Sequence, residues 1–319
     1  MKNIGIITSG GDSPGMNCAV RAAVRTAIHF GIKPYGIISG YKGLIEGNIF
    51  EMSHADVSNI IGRGGTVLQT ARSKEFRTPE GQAKAVENLR KHSIEGLVII
   101  GGDGSLSGAK VLEENYGIKS AGIPGSIDND IYGTDISLGV DTALNVVMSA
   151  VDMINNTASS HGRTFIIEVM GRRCGYLAVM AGIATGADAV IIPEEEPDLD
   201  GIIAKFKKRA QDGKTRNILL VAEGAGSAYD FGKKLQDAGA FDSRITILGH
   251  VQRGGEPTYF DRVLGSRMGA AAVEALRDGK SGVMTGLQGN RIALVPYEEV
   301  FSGKRGMNGN VVKLLNMLS

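Results

Sequence analysis

Short apolar runs rich in β-branched residues alternate with helical patterns along most of the chain. The runs that predict strands cover residues 4–8, 34–38, 97–100, 120–123, 164–169, 189–192, 218–222 and 244–248. Longer segments with helical apolar spacing predict helices over residues 16–30, 78–92, 106–114, 142–157, 175–184, 199–211 and 262–277. This alternation is typical of α/β folds with mainly parallel sheets. Ligands of such folds bind at the carboxyl ends of the strands.

A short glycine-rich pattern follows two of these predicted strands. Residues 9–13 read SGGDS, and residues 100–105 read IGGDGS. Each copy opens a predicted helix, where backbone N–H groups can meet a phosphate because no Cβ intervenes. The carboxylate of Asp103 would repel a bare phosphate unless it holds a divalent cation that the phosphates share. The pair of loops indicates a site for Mg²⁺ and a polyphosphate, although turn formation with helix capping explains either loop alone.

A third motif places two carboxylates two positions apart after another predicted strand. Residues 124–130 read PGSIDND. If the segment is extended, Asp128 and Asp130 face the same side, and the repulsion between like charges suits one of them as a proton acceptor. Pro-Gly and Asp-Asn are also ordinary turn signals, so a loop without chemistry is the alternative.

Several arginines and one glutamate stand near the ends of predicted strands. Arg172 and Arg253 lie beside glycines, where a planar guanidinium could clamp phosphoryl oxygens. Glu223 could accept hydrogen bonds from a sugar or cap a turn. Further arginines stand in weaker positions, where a solvated surface residue is the favoured explanation of each one taken alone: Arg72, Arg163 and Arg244.

Composition excludes some classes of function. The 319 residues favour two lobes, and 35 basic against 34 acidic side chains give a formal charge of +1, so neither nucleic acid nor membrane is expected as a partner. No apolar run approaches the roughly 20 residues that span a bilayer, and residues 10–12 interrupt the first run, so no signal peptide is expected. Two distant cysteines and five histidines without metal-ligand spacing leave a cytoplasmic location as the expectation.

Together and in this order, the motifs closely resemble those of the bacterial ATP-dependent 6-phosphofructokinases. The matching segments are residues 6–17, 101–105, 124–130, 168–172 and 248–255, and the resemblance runs from residue 1 to about 290. It implies an α/β fold of two similar three-layer lobes with mainly parallel sheets. It places a nucleotide-binding lobe at residues 1–138 plus 251–301 and a sugar-phosphate-binding lobe at residues 139–250 plus 302–319. The implied reaction is the glycolytic transfer of the γ-phosphate of MgATP to the 1-hydroxyl of fructose 6-phosphate.

The resemblance also implies a role for each matching position. ATP would be held by Gly11, Arg72, Ser73, Gly102, Asp103, Gly104 and Ser105, with Asp103 on Mg²⁺. Asp128 would act as the base, and Ser126 and Arg172 would steady the transferring group. The sugar pocket would also involve Ile127, Met170, Gly171, Glu223, His250, Val251, Gln252 and Arg253. Arg163 and Arg244 would reach the 6-phosphate from a neighbouring subunit, which implies a homotetramer.

Two glycines bear on the phosphoryl donor. Relatives that use pyrophosphate carry Asp at the position of Gly104 and Lys at that of Gly125, whereas this chain has glycine at both, so ATP is the expected donor. Ser126 stands where the family usually has Thr, and the hydroxyl is kept.

The regulatory site that binds ADP or phosphoenolpyruvate in relatives is expected to be weakened in this chain. Arg21, Arg25 and Lys214 remain as candidate effector residues. Relatives carry basic side chains at the positions of His54, Asn155, Asp212 and Thr215, and a metal-holding Glu at the position of Asp188. Each basic-to-neutral change removes a charge-assisted contact of about 1.5–3 kcal/mol, so control by these ligands is expected to be weak.

Three alternatives stay open at this stage. A pyrophosphate-dependent phosphofructokinase is disfavoured by the two glycines. Lipid and NAD kinases also use a Gly-Gly-Asp-Gly loop, but they lack the segment around Asp128 and the set of arginines. A sensor that binds a nucleotide or sugar phosphate without turnover is disfavoured by the retained base.

Overall fold

The computed structural model describes residues 1–161, 163–214, 216–238 and 242–319. Thr215, one of the positions compared above, therefore lies outside the described residues. The chain divides into two compact units. Unit 1 comprises Met1–Ile127, Ile131–Thr142 and Arg253–Arg305, and unit 2 comprises Asp128–Asp130, Ala143–Gln252 and Gly306–Ser319. The 124–130 motif therefore contains a first, three-residue passage into unit 2, and the chain returns from its long passage through unit 2 within the 248–255 motif.

Unit 1 contains a seven-stranded sheet. Its strands are β1 (Asn3–Ser9), β2 (Lys33–Ile37), β3 (Ile49–Glu51), β4 (Gly96–Gly101), β5 (Lys119–Pro124), β10 (Val283–Gln288) and β11 (Arg291–Pro296), numbered in chain order across both units. The order in the sheet is β11-β10-β5-β4-β1-β2-β3. The five inner strands run parallel, whereas the edge strands β3 and β11 are antiparallel to their neighbours.

Helices cover both faces of this sheet and make three layers. They are α1 (Met16–His29), α2 (Gly40–Glu46), α3 (Pro79–Lys91), α4 (Asp103–Tyr116), α9 (Tyr259–Arg277) and α10 (Tyr297–Ser302). Ile6 of β1 packs in one buried cluster with residues of α1 and α9, and the next residue, Ile7, packs in the other with residues of α3 and α4. Side chains that alternate between two apolar layers are expected of a parallel sheet buried on both faces.

Glycines bring α9 close to α1. A Cβ at Gly269 would lie 2.5 Å from the carbonyl oxygen of Ala19, and one at Gly265 would lie 2.9 Å from that of Gly15. Because these two positions are one helical turn apart, they form a smooth stripe that lets the helix backbones approach. This packing holds the start of α1 at the end of β1.

Unit 2 contains a parallel sheet of four strands with helices on both faces. The strands are β6 (Thr164–Val169), β7 (Ala189–Ile191), β8 (Asn217–Ala222) and β9 (Ser243–Ile247), in the order β7-β8-β6-β9. The helices are α5 (Val140–His161), α6 (Tyr176–Thr185), α7 (Leu199–Gln211), α8 (Ala228–Asp237) and α11 (Gly309–Leu318). Buried apolar clusters lie on the two faces of this sheet. None of the helices in the described ranges is long and apolar enough to cross a membrane.

The predicted α/β class with mainly parallel sheets is confirmed, but several elements were missed. The missed elements are β3, β10, β11, α2, α8, α10 and α11. The hairpin of β10 and β11 had a readable signal, because Gly289 and Asn290 separate two β-rich runs, and Gln288 pairs with Arg291 across that turn. In contrast, α2 carries glycines at Gly40 and Gly43 and is only seven residues long, so its helical pattern is weak.

Candidate active site

Three of the sequence motifs meet at one edge of the sheet in unit 1. Strands β1, β4 and β5 are adjacent and parallel, with Ser9 paired to Gly101 and Gly101 paired to Pro124. The N–H of Gly125 donates to the carbonyl oxygen of Gly101 at 2.9 Å. The glycine-rich loops and the start of the 124–130 motif are therefore neighbours, as expected from the carboxyl ends of parallel strands.

Loop 1, residues 10–15, is tightly packed. Gly10 and Gly15 have φ of 89° and 91°, in the region that favours glycine. A Cβ at Gly15 would lie 2.8 Å from Cδ1 of Leu138 and 3.3 Å from the carbonyl oxygen of Asp261. The guanidinium of Arg253 donates from Nη1 to the carbonyl oxygen of Asp12 at 2.9 Å. The same nitrogen would be 2.8 Å from a Cβ at Gly11.

Loop 2, residues 102–105, is open. Helix α4 begins at Asp103, so the carboxylate of Asp103 lies in its first turn. Asp103 and Gly104 are exposed, and a Cβ at Gly104 would meet no atom of the described chain within 4 Å. The first N–H groups of a 14-residue helix are thus accessible beside a carboxylate. Such N–H groups and the helix dipole favour an anion.

An aromatic pair connects loop 2 to Ser73. The hydroxyl of Tyr41 donates to the carbonyl oxygen of Ser105 at 2.6 Å, and the Tyr41 ring stacks on Phe76 with centroids 4.0 Å apart. The N–H of Phe76 donates to Oγ of Ser73 at 3.1 Å. Ser73 is thereby tied to loop 2 through buried rings, and Arg72 beside it is exposed.

The residues present fit a Mg²⁺ ion that would arrive with the phosphates of a ligand. In the described part of the chain, no group of three or more His, Cys, Asp and Glu side chains could form a metal site. Asp103 therefore supplies one carboxylate next to an open helix N-terminus. Mg²⁺ usually keeps several waters and is bound by one or two carboxylates together with the phosphates of its ligand.

The segment that carries the predicted base is bent rather than extended. Asn129 has φ of 54°, in the left-handed region, and lies between Asp128 and Asp130. Asp128 is 4% exposed, whereas Asp130 is half-buried. A left-handed residue breaks the alternation of side chains along a strand. The segment is therefore not in the extended conformation that would make both carboxylates face the same side. Asp128 and Asp130 belong to unit 2, and Ser126 and Ile127 belong to unit 1.

In unit 2, the predicted sugar residues cluster at the ends of β6 and β8. Met170, Gly171 and Arg172 follow β6, and Glu223 follows β8. A short 3-10 helix, Gly249–Arg253, carries exposed His250 and Val251 and fully buried Gln252. The side chain of Gln252 accepts a hydrogen bond from the N–H of Met170 at 3.2 Å and donates one to the carbonyl oxygen of Gly249 at 2.9 Å. Unlike Gln252, Arg253 belongs to unit 1.

Two further predicted arginines share one acidic partner. Arg163 precedes β6 and Arg244 lies in β9, the strand next to it. Nε of Arg163 is 3.8 Å from the Asp242 carboxylate, and Nη1 of Arg244 is 2.5 Å from it. The three side chains are 40–64% exposed, so the pairs contribute little to stability. Asp242 was missed by the sequence analysis, and its place two residues before Arg244 was the available signal.

The candidate effector residues lie in separate units. Arg21 and Arg25 are half-buried on α1 in unit 1, and Lys214 follows α7 in unit 2. Nε of Arg25 is buried without a hydrogen-bond partner among the described residues. Asp188, by contrast, is fully engaged within unit 2. Its carboxylate pairs with Arg209 at 2.7 Å and accepts the N–H of Ile218 at 2.8 Å.

Comparison with known proteins gives concordant matches. The family profile described as phosphofructokinase matches residues 3–276. The chain is 51% identical over 319 residues to the ATP-dependent 6-phosphofructokinase of Oceanobacillus iheyensis and 53% identical over 319 residues to that of Bacillus cytotoxicus, covering 100% of each chain.

Solved structures show the same fold. A Pichia pastoris phosphofructokinase in the T-state superposes with a TM-score of 0.90 at 39% identity, covering 94% of this chain and 35% of the yeast chain. A pyrophosphate-dependent phosphofructokinase from Marinobacter aquaeolei superposes with a TM-score of 0.86 at 21% identity, covering 100% of this chain and 91% of the other. The second likeness concerns the fold alone.

Proposed function

This chain belongs to the phosphofructokinase family, and we propose that it transfers the γ-phosphate of MgATP to the 1-hydroxyl of fructose 6-phosphate. The predicted family, fold class and enzyme class, an ATP-dependent 6-phosphofructokinase, are confirmed by the matches above. The observation that carries the proposed reaction is loop 2, which joins an open helix N-terminus to an exposed carboxylate. Phosphoryl transfer depends on positioning and charge neutralisation, and these are the groups it requires.

The nucleotide is held in this proposal by unit 1. The phosphates contact Gly11 of loop 1 and the N–H groups of Gly102–Ser105, and Arg72 and Ser73 contact the rest of the nucleotide. Gly104 supports this arrangement, because a Cβ added there would meet no described atom within 4 Å, which leaves room for a phosphate. When Mg²⁺ is bound it neutralises phosphate charge, and Asp103 is the residue that holds it.

The acceptor is held by the residues that follow the strands of unit 2. Met170, Gly171, Glu223, His250, Val251 and Gln252 orient the sugar, together with Ile127 and Arg253 of unit 1. Asp128 takes the proton of the 1-hydroxyl as that oxygen bonds to the γ-phosphorus. The bond from phosphorus to the bridging oxygen breaks, and the electron pair leaves with ADP. Ser126 and Arg172 donate hydrogen bonds to the phosphoryl oxygens during transfer.

The quaternary part of the proposal concerns Arg163 and Arg244. In this proposal the protein is a homotetramer, and the two arginines contact the 6-phosphate of the fructose 6-phosphate that a neighbouring subunit binds. Two guanidinium groups near Asp242, one just before β6 and one in β9, support this, because such a pair is suited to bind a phosphate.

A coupled assay of ADP release tests the reaction. The purified protein is given fructose 6-phosphate and Mg²⁺ with either ATP or pyrophosphate, and we expect turnover with ATP. An Asp128→Ser variant should bind both substrates yet lose about 10²–10⁴-fold in kcat, because the proton acceptor is gone. Asp130→Ser is the matched control in the same segment. Full turnover by Asp128→Ser would remove the assignment of the base.

Control by ADP and phosphoenolpyruvate is weak in this proposal. Both carboxylate oxygens of Asp188 are engaged by Arg209 and Ile218, so this group is poorly placed to hold an effector's metal. Arg21, Arg25 and Lys214 alone leave few charge-assisted contacts for an anion. We expect near-hyperbolic kinetics in fructose 6-phosphate at neutral pH with phosphoenolpyruvate present. Strong sigmoidal inhibition by micromolar phosphoenolpyruvate would contradict this.

A further inference from the structure

Strands β6 and β8 end together in unit 2. They are parallel neighbours in register, with Val169 paired to Ala222 at their last positions. The segments that follow, residues 170–172 and 223–224, therefore leave the sheet side by side. Side chains of one segment can reach the backbone of the other, and the local contacts follow from this register.

All three N–H groups of the 170–172 segment are accepted by side chains. The N–H of Met170 donates to Gln252, at 3.2 Å. The N–H groups of Gly171 and Arg172 both donate to Oε1 of Glu223, at 3.3 Å and 2.8 Å. A carboxylate that accepts from two successive N–H groups makes charge-assisted hydrogen bonds, which are stronger than neutral ones.

The backbone held in this way is in an uncommon conformation. Arg172 has φ of 56°, in the left-handed region that a long side chain seldom adopts, and Gly171 before it has φ of 145°. Such a conformation is unfavourable for a residue with a side chain and persists where the surroundings fix it. The N–H of Cys174 donates to the carbonyl oxygen of Gly171 at 2.8 Å, which closes the turn from the other side.

Gly224 fits against the same residue. A Cβ at Gly224 would lie 2.0 Å from the carbonyl oxygen of Arg172 and 3.0 Å from its carbonyl carbon. The chain after β8 thus contacts Arg172 twice. The Glu223 carboxylate accepts a hydrogen bond from its N–H, and Gly224, which has no side chain, packs against its carbonyl group. Both contacts act on the peptide groups that set the direction of the Arg172 side chain.

We infer that Glu223 is a positioning residue, which orients the guanidinium of Arg172 by holding its backbone N–H. This inference rests on the proposed function, in which Arg172 steadies the transferring phosphoryl group. It adds a second role to the sugar contact proposed above, because Oε1 is the oxygen that the loop engages. Misplacement of a catalytic group by about 1 Å can cost roughly 10²-fold in rate.

Hydrogen–deuterium exchange tests the contact without reference to activity. In the Glu223→Ala variant, we expect the peptide that covers residues 170–174 to exchange faster than in the parent protein, because two N–H groups lose their acceptor. Glu223→Gln keeps a carbonyl oxygen and should restore much of the protection. Glu196→Ala, which removes another exposed carboxylate of unit 2, should leave this peptide unchanged. Unchanged exchange in Glu223→Ala would overturn the inference, whatever the protein catalyses.

A double-mutant cycle tests the route through Arg172. We expect Glu223→Ala to lower kcat about 10- to 100-fold in the parent protein and less than about threefold in an Arg172→Ala background. Gly224→Ala, which displaces the carbonyl of Arg172, should show the same dependence on background. Gly309→Ala, at an open position in unit 2, is the matched glycine control. If the losses from Glu223→Ala and Arg172→Ala multiply, or if Glu223→Ala raises KM for fructose 6-phosphate with kcat unchanged, Glu223 acts on the sugar alone and the inference is wrong.

Discussion

The two glycine-rich loops of unit 1 follow neighbouring strands and share the letters Gly-Gly-Asp, yet the glycines that come after those letters, Gly15 in loop 1 and Gly104 in loop 2, differ in their surroundings. In loop 1, backbone conformation and packing account for the glycines, since Gly15 has positive φ and lies against Leu138. In loop 2, Gly104 is exposed and faces no described atom within 4 Å. A glycine that packing does not require leaves room for a ligand. The resemblance of the motifs therefore conceals one loop with a glycine that packing requires and one loop with a glycine that stays open, as the proposed phosphate contacts need.

The loops also differ in charge. The guanidinium of Arg253 lies on loop 1, where it donates to the carbonyl oxygen of Asp12. Loop 2 presents the carboxylate of Asp103 in the first turn of α4. A cationic group at the end of β1 and an anionic group at the end of β4 are the arrangement expected for phosphates accompanied by a divalent ion. Substitutions that are matched between the loops can test this division.

The largest effect on activity is expected from substituting the aspartate of each loop by asparagine. Asp103→Asn should lower kcat/KM by about 10²–10³-fold, because the proposed Mg²⁺ loses its carboxylate. Raising the Mg²⁺ concentration should recover part of the loss. Asp12→Asn, at the corresponding place in loop 1, should cost less than about tenfold, since the carbonyl of Asp12 rather than its carboxylate makes the contact with Arg253. Equal losses in steady-state assays would mean that the two loops share one role.

The next comparison concerns stability. Gly15→Ala should lower the free energy of unfolding by about 2–4 kcal/mol, because a Cβ there is strained by its positive φ and crowds Leu138. Gly104→Ala should change it by less than about 1 kcal/mol, since alanine is favourable in a helix, while raising KM for ATP. Urea unfolding curves and ATP saturation measure the two effects. A stable Gly15→Ala protein would show that loop 1 has more room than its packing suggests.

The contrast between the loops marks where sequence reasoning reaches its limit. Both loops could be located from the sequence, because each follows an apolar run that predicts a strand. The hydrophobic pattern of a strand and the residue preferences of a turn depend only on residues that are close in sequence. Whether a glycine is packed or open depends on residues far along the chain, such as Leu138 against Gly15, and these are not encoded in the motif. The left-handed conformation of Asn129 and the hydrogen bond from Arg253 to Asp12 are equally non-local. The division between Gln252 and Arg253 likewise required the fold.

A smaller effect is expected in the dependence of stability on pH, at the residue that supports loop 1. The Asp261 carboxylate accepts from the N–H groups of Gly139 and Thr142 and from the Thr142 hydroxyl, and its burial raises its pKa to about 6. Asp141, packed nearby, also raises this pKa, and the hydrogen bonds oppose the shift. The ordinary value is 3.8, so the folded protein binds this proton more tightly than the unfolded chain.

The free energy of unfolding should therefore fall as the pH rises from about 4 to about 6, by roughly 2–3 kcal/mol from this group. Asp261→Asn should remove that slope, whatever its effect on absolute stability. Urea unfolding at a series of pH values measures the difference between the two slopes. Parallel curves for the parent and the variant would mean that the carboxylate is ionised throughout this range.

The smallest effect is expected at Ser13, also in loop 1. Its Oγ is buried and has no hydrogen-bond partner among the described residues, and it would be 3.3 Å from a Cβ at Gly125. A buried hydroxyl without a partner costs free energy, so Ser13→Ala should be neutral or stabilise the protein by up to about 1 kcal/mol. Kinetics should be unchanged, because the packed loop uses its backbone rather than this side chain. A loss of activity without a loss of stability would show that the hydroxyl reaches a ligand, and loop 1 would then bind through a side chain as well as through the backbone of Gly11.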